Sequence, residues 1–261
     1  MKRYLFIIIA LLSYQIHLAQ NASAFQEGEW FEFRMSYSGW LKAGEATMLV
    51  DEKKLNGKPV FHVTGKGKTT GAVNWFFKVR DRYESYFDIE TGLPYKFIRK
   101  IDEGGHTKDI EIHFDQEARK AEVNNKKHKR VSTIATKANV QDMMSAFYYL
   151  RNNYETDNIK VGDEVKLNMF FDEENYLFRL KYLGKETIKT KFGRVKTLKF
   201  RPYVLAGRVF KEQESLTLWV SADDNKIPLK VKADLAVGSL RADLVAFKGL
   251  KHSFKIVVDK D

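Results

Sequence analysis

The chain of 261 residues has no cysteine, only 4 prolines, and no long apolar run after its first dozen residues. Without cysteine there is no disulfide framework, no thiol nucleophile, no thiolate metal site and no attachment point for a lipoprotein anchor, so stability must come from core burial. Scarce proline together with 44% hydrophobic residues speaks against a disordered, proline-rich chain. The lack of a later apolar run excludes a helical membrane span, which needs roughly 20 apolar residues. Acidic residues are also in deficit, 34 against 45 Lys and Arg, leaving a formal charge of +11.

What is present begins at the N-terminus. Lys2 and Arg3 precede the apolar run Tyr4 to Leu12, and Ala22-Ser23-Ala24 follows as an A-x-A site, with Ala19 as an alternative. This is the pattern of a secretory signal peptide over residues 1–24, followed by a single β domain over residues 25–261. The expected location is periplasmic. An exported basic protein meets little nucleic acid, so the expected partners are a lipid or another anionic envelope component, or an envelope protein.

Alternation of period two marks strands with one buried and one solvated face. Phe31, Phe33, Met35 and Tyr37 oppose Glu32, Arg34 and Ser36; Ile110, Ile112 and Phe114 oppose Asp109, Glu111 and His113. Leu229, Val231, Ala233 and Leu235 repeat the pattern, as do Leu240, Ala242, Leu244 and Ala246. Between such runs stand the turn signals Asn56-Gly57, Gly104-Gly105 and Gly238-Ser239. The spacing predicts an all-β fold, an antiparallel barrel or curved half-barrel. One amphipathic helix interrupts it over about 139–154, with Val140, Met143, Met144, Phe147, Leu150 and Tyr154 on one stripe and Asn139 as the expected N-cap.

Glu27-Gly28-Glu29 resembles Val161-Gly162-Asp163-Glu164, and the turns before Pro94 and Pro228 follow at the same separation. Two related β-meanders are therefore expected, over about 25–124 and 160–258. A basic linker containing Lys126-Lys127-His128-Lys129-Arg130 and the helix would join them.

Catalytic signatures fail on spacing. Gly67-Lys68-Thr69 matches the end of a phosphate loop, but His62 stands where the leading glycine belongs and no apolar helix follows. No close pair of histidines offers a metal site, and no nucleophile elbow exists. Neither catalytic nor metal residues, nor a cofactor, are therefore assigned; a glycan hydrolase stays open only through the abundance of carboxylates. Aromatics give the remaining signal. Trp75-Phe76-Phe77 is apolar on both faces of an expected strand, so something must cover the second face. With Trp40, Trp219 and the helix residues Met144, Phe147 and Tyr148, these form the candidate ligand-binding set. The expected activity is non-enzymatic binding of an apolar or amphipathic envelope ligand such as a lipid inside the concavity; the alternative is a structural or partner-docking module.

Several landmarks carry a family likeness: Gly28-Glu29, Ala43-Gly44-Glu45-Ala46, the helix Asp142-Met143-Met144-Ser145-Ala146-Phe147-Tyr148-Tyr149-Leu150-Arg151, Leu218-Trp219-Val220-Ser221 and Ile227-Pro228-Leu229. Through them the chain resembles domain of unknown function 3108, a family of Gram-negative envelope proteins, over roughly Phe25 to Leu250. The resemblance implies a fold similar in outline to periplasmic half-barrel proteins that handle lipids or lipoproteins. It supplies no catalytic residues.

Overall fold

A computed structural model describes residues 23–203, 216–235 and 237–258; the signal-peptide reading of Lys2 to Ala22 lies outside them. In chain order the elements are β1 (Trp30–Tyr37), β2 (Leu41–Leu55), β3 (Lys58–Thr69), α1 (Val73–Phe76), β4 (Val79–Asp88), β5 (Pro94–Glu103), β6 (His106–Asp115), β7 (Lys120–Asn125) and β8 (Arg130–Ala135). After α2 (Met143–Asn153) come β9 (Glu164–Phe171), β10 (Glu174–Thr190), β11 (Gly193–Tyr203), β12 (Leu216–Ser221), β13 (Pro228–Asp234) and β14 (Ser239–Lys248).

All fourteen strands form one antiparallel sheet in the order β8-β7-β6-β5-β4-β3-β2-β1-β14-β13-β12-β11-β10-β9. The first and last strands pair at its centre, so the middle of the chain supplies both edges. The sheet is not closed by a ladder. Its edges are instead strapped together by the segment that leaves β8. Asn175 donates to the Ala135 carbonyl at 2.8 Å, Asn168 donates to that of Ala138 at 2.9 Å, and Arg130 pairs with Glu173. Gln141 also exchanges backbone bonds with Asn168 and Phe170, covering the free edge of β9, which would otherwise invite pairing with another chain. The result is a barrel-like, open curl.

The alternation seen in the sequence explains what faces inward. Phe31, Phe33, Ile110, Ile112, Phe114, Leu229 and Leu244 are all buried. Phe61, Phe87 and Phe97 join them under the first meander, where Phe25, Phe170 and Tyr148 of α2 complete the cluster. A second packing face of α2 uses Leu150 and, just past its end, Tyr154, against Leu180, Leu198, Phe200 and Val220. The helix thus fills the concavity between the two meanders.

It begins later than the stripe suggested. Asp142, not Asn139, is the N-cap: its carboxylate accepts from the Met144 and Ser145 amides, and Ser145 Oγ accepts from the Asp142 amide. Asn139 sits at φ +52°, a left-handed turn conformation open to asparagine, which places Val140 and Gln141 outside the helix. Ser85 Oγ on β4 also donates to Asp142 at 2.6 Å, fixing the helix to the sheet.

The helix is anchored at its other end by charge. Arg151, fully buried, donates to both carboxylate oxygens of buried Glu29 at 2.5 and 2.7 Å and to the carbonyls of Asn225 and Ala24. Burial lifts the Glu29 carboxyl above its ordinary value, against the pull of Arg151. Removing one partner of such a pair strands the other in a low-dielectric interior. Glu29→Ala is therefore expected to lower unfolding free energy by about 3–5 kcal/mol in urea titration; an unchanged midpoint would show that the pair is dispensable. Tyr148 presents the opposite case, since its buried hydroxyl has no hydrogen-bond partner among the described residues. Tyr148→Phe is expected to leave stability unchanged or raise it by about 1 kcal/mol in the same titration.

Candidate functional site

The structure does not bring the eight aromatic and methionine candidates into one place. Met144, Phe147 and Tyr148 lie on α2, with Met144 and Tyr148 sealed in the core beneath the first meander. Trp219 points the opposite way from its neighbours Leu218 and Val220, which face α2. It is buried, its indole N–H donates to Glu186 at 3.0 Å, and the ammonium groups of Lys199 and Lys230 lie over its ring. Trp40, Trp75, Phe76 and Phe77 form a third location, on turns at one end of the sheet.

Inside the curl little room is left. The crevice between α2 and the second meander, bounded by Phe147, Leu150, Tyr154, Phe200 and Val220, has a volume of about 50 Å³. That admits a few water molecules and no acyl chain. At the turn end a polar plug takes over. Asp172 in the β9–β10 turn accepts from Lys108 at 2.7 Å and from Arg99, tying β5 and β6 to the far meander. Nearby on the same inward face, burial and repulsion from Glu103 push Asp81 up to about 6. Asp142 is likewise held up at about 6 by burial, but its partner Ser85 is four residues from Asp81 along β4, about 13 Å.

The outward face of the first meander holds a buried network. His62 contacts Glu84 at 2.7 Å, Arg82 donates to the same carboxylate, and Tyr86 stacks on the imidazole at 4.1 Å between centroids. Desolvation lowers the His62 pKa, with the Glu84 hydrogen bond opposing it. Thr64 Oγ1 lies 3.4 Å from Nε2, the nitrogen that already meets Glu84. A nucleophilic triad needs one ring nitrogen for each partner, so this is a structural network. Further along, burial would raise Glu111, but hydrogen bonds from Lys126, Lys96 and His113 outweigh it and hold the carboxyl at about 2. Among the described residues no cluster of three metal-ligating side chains occurs, and no helix is long and apolar enough to cross a membrane.

The end that carries the remaining aromatics is built from alternate hairpin turns. In an up-and-down meander the β1–β2, β3–β4, β5–β6, β7–β8, β9–β10 and β13–β14 turns all fall at one end. Cross-links join them: Ser38 N–H to the Ser239 carbonyl at 2.7 Å, Thr70 to Ala43 at 3.1 Å, and Gly104 to Lys78 at 2.8 Å. Gly104, at φ +62°, leaves room for the Phe77 ring where a Cβ would clash. On this platform the expected strand at Trp75-Phe76-Phe77 is instead the one-turn helix α1, and nothing among the described residues covers it. Trp75 is 87% exposed, Phe76 88% and Trp40, on the adjoining turn, 78%. The cover expected for the second face of this run is not supplied by the described residues. The same turn end also carries exposed Lys42, Lys78 and Lys129. Because the rings pack on nothing, Trp75→Ala and Phe76→Ala are expected to leave the melting temperature within about 1 °C of the parent in a thermal scan; a larger drop would mean that these rings are structural.

Known proteins resemble this chain in fold alone. The sequence profile of the family "Protein of unknown function (DUF3108)" matches residues 32–245. No curated protein sequence matches the chain. Among solved structures, the beta-barrel-like protein of domain of unknown function DUF1849 from Brucella abortus is similar at a TM-score of 0.53 and 9% identity, covering 87% of this chain and 100% of that one. A DUF1089 family protein from Pseudomonas aeruginosa gives 0.35 at 7% identity over 70% and 87% of the two chains. A Bacteroides fragilis protein with a YmcC-like fold gives 0.36 at 10% identity over 86% and 97%.

Proposed function

The chain belongs to the DUF3108 family of unknown function, and on that premise we propose that it is an exported, non-enzymatic envelope protein that docks its aromatic turn end on an anionic lipid surface. The observation that carries this reading is the shared exposure of Trp40, Trp75 and Phe76 on neighbouring turns. Leaving such rings in water is unfavourable, and moving each into an apolar phase is worth about 1.5–3 kcal/mol. Tryptophan favours the headgroup level of a bilayer, where the ring meets hydrocarbon and the indole N–H stays wet. Lys42, Lys78 and Lys129 add attraction to anionic headgroups of about 1 kcal/mol each, lost as salt rises. The amphipathic ligand expected from the sequence is thus met at the surface; the concavity has α2 in it.

The test is sedimentation with phosphatidylglycerol vesicles against phosphatidylcholine vesicles at low salt. The wild-type protein is expected to pellet with the anionic vesicles, and the combined Trp40→Ala, Trp75→Ala, Phe76→Ala variant to stay in solution while keeping its melting temperature. Equal behaviour of the two proteins overturns the reading. A protein crosslinked to the same three residues in cells, with no vesicle association, would replace it with partner docking.

Export itself carries a sharper expectation. Ser23 and Ala24 belong to the fold: Ala24 is buried, its amide donates to Asn152 and its carbonyl accepts from Arg151. Cleavage after Ala24 would remove them and place a charged amine on the buried Phe25, beside the Arg151 guanidinium. Cleavage after Ala19 keeps these contacts. The intact mass of protein recovered from a periplasmic fraction is expected to begin at Gln20; a mass beginning at Phe25 would refute this.

A further inference from the structure

The outward face of the first meander bends into a trough of about 830 Å³ that crosses β2 to β6 and ends at the β7–β8 turn. Of its seventeen lining residues eight are Lys or Arg and four are Asp or Glu. The decisive feature is register. Lys66 on β3 stands directly opposite Arg82 on β4, and Arg82 directly opposite Lys100 on β5. In the adjoining outward row Lys68 stands opposite Arg80. Like charges at directly paired positions, with Cβ atoms roughly 4.5–5.5 Å apart, repel and destabilise a sheet.

Some of this charge is answered within the chain. Lys68 pairs with Glu45 at 2.8 Å, Arg82 with Glu84 at 2.7 Å and Lys100 with Asp109 at 3.4 Å. Lys66 is not: among the described residues it has no carboxylate partner, whereas Arg80 stands directly opposite Asp102 on β5 and hydrogen-bonds the backbone carbonyls of Thr69 and Val79. In the other half of the chain Phe192, Phe247, Leu250 and Phe254 pack against the buried cluster of Phe31, Phe33, Trp219 and Leu244. A row of three directly paired cations that holds two carboxylates and leaves Lys66 unanswered, in an open trough, is what an anion would relieve.

We propose that this trough binds a phosphate-bearing chain, with Lys66, Arg80, Arg82 and Lys100 as its ligands. The row Lys66-Arg82-Lys100 spans two strand spacings, about 10 Å, the scale of a few linked phosphates rather than of a single one. Arginine supplies a planar fork and lysine a mobile point charge, so the same four residues can follow different phosphate spacings. Arg80 lies at the border with the aromatic turns, bonding the Thr69 carbonyl beside them, whereas Lys66, Arg82 and Lys100 stand on the outward sheet face. The site does not depend on the docking reading.

The test uses inorganic tripolyphosphate as the probe, in calorimetric titration and thermal scans at low salt, with Lys66→Glu and, as a control for net charge, Lys185→Glu on exposed β10. Tripolyphosphate is expected to bind the wild-type protein saturably and raise its melting temperature. Lys66→Glu is expected to weaken binding by about tenfold or more, and Lys185→Glu by less than about twofold. Because the new carboxylate faces Arg82, Lys66→Glu is also expected to melt about 1–3 °C higher than the wild type without ligand. A residue that merely held the fold would move the melting temperature the other way. Absence of saturable binding, or equal weakening by the two substitutions, overturns the proposal. Phosphatidylglycerol vesicles then separate the sources: loss of tripolyphosphate alone in Lys66→Glu assigns the trough to a soluble phosphate-bearing chain, and loss of both assigns it to a lipid headgroup. Vesicle binding that depends on Trp75 and Phe76 but not on Lys66 keeps docking and trough apart.

Discussion

The pair of Arg151 and Glu29 holds together segments that no strand ladder joins. Through one guanidinium the C-terminal end of α2, the stretch before β1 and the β12–β13 turn at Asn225 meet, inside a cage formed by the rings of Phe25, Phe31, Phe147 and Tyr148. A guanidinium stripped of water is tolerable only when nearly every N–H has an acceptor and the charge has a counter-ion. Here the carboxylate takes two donors and two carbonyls take the rest. An apolar residue of equal volume would fill the space, but it would not specify which three segments converge. The lone helix is fixed at both ends in this way, by Asp142 on Ser85 and by Arg151 on Glu29.

From that anchorage follows the division of labour between inside and outside. A sheet of fourteen strands curled without full closure could enclose a ligand, as barrels of this kind do. With α2 pinned in the curl, its side chains occupy the volume that a guest would need, and the polar plug around Asp172 shuts the turn end. What remains chemically unsatisfied lies on the exterior. It gathers on the first meander, which keeps an open basic face and bare aromatic turns.

Much of this was written in the sequence at the level of single strands. The alternation at Phe31 and Phe33 and at Ile110 to Phe114 gave the inward face, because a strand's period is fixed by its backbone geometry, but it failed at Ser36, expected on the solvated face and buried beside a register shift against β2. The helix was visible for the same reason, but its start was not: Asn139 and Asp142 are both good caps, and only the left-handed turn at Asn139 decides between them. Arg151 could be placed on α2 yet not paired, since Glu29 lies 122 residues away and an ion pair leaves no periodic trace. The candidate set was split among three environments for a related reason. An apolar residue announces that it wants cover without saying from what, so Tyr148, buried by its own chain, and Trp75, covered by nothing, looked alike. Trp219 added a third outcome, burial on the outer face beneath lysine side chains.

The strand register carried the information that the sequence pattern withheld. Lys66, Arg82 and Lys100 are separated along the chain by turns of different length, and nothing in their spacing places them side by side; only the pairing of β3 with β4 and of β4 with β5 does. Three cations in one row, like three exposed aromatic rings on adjacent turns, are arrangements that stability alone would disfavour. The same sheet elsewhere alternates its charges, as at Lys96, Glu111 and Lys126, where one carboxylate answers both ammonium groups. A fold able to neutralise its surface charge in one place and leaving it bare in another has kept the second free for something outside the chain, and the two bare regions ask for complementary chemistry: an apolar phase for the rings and negative charge for the row.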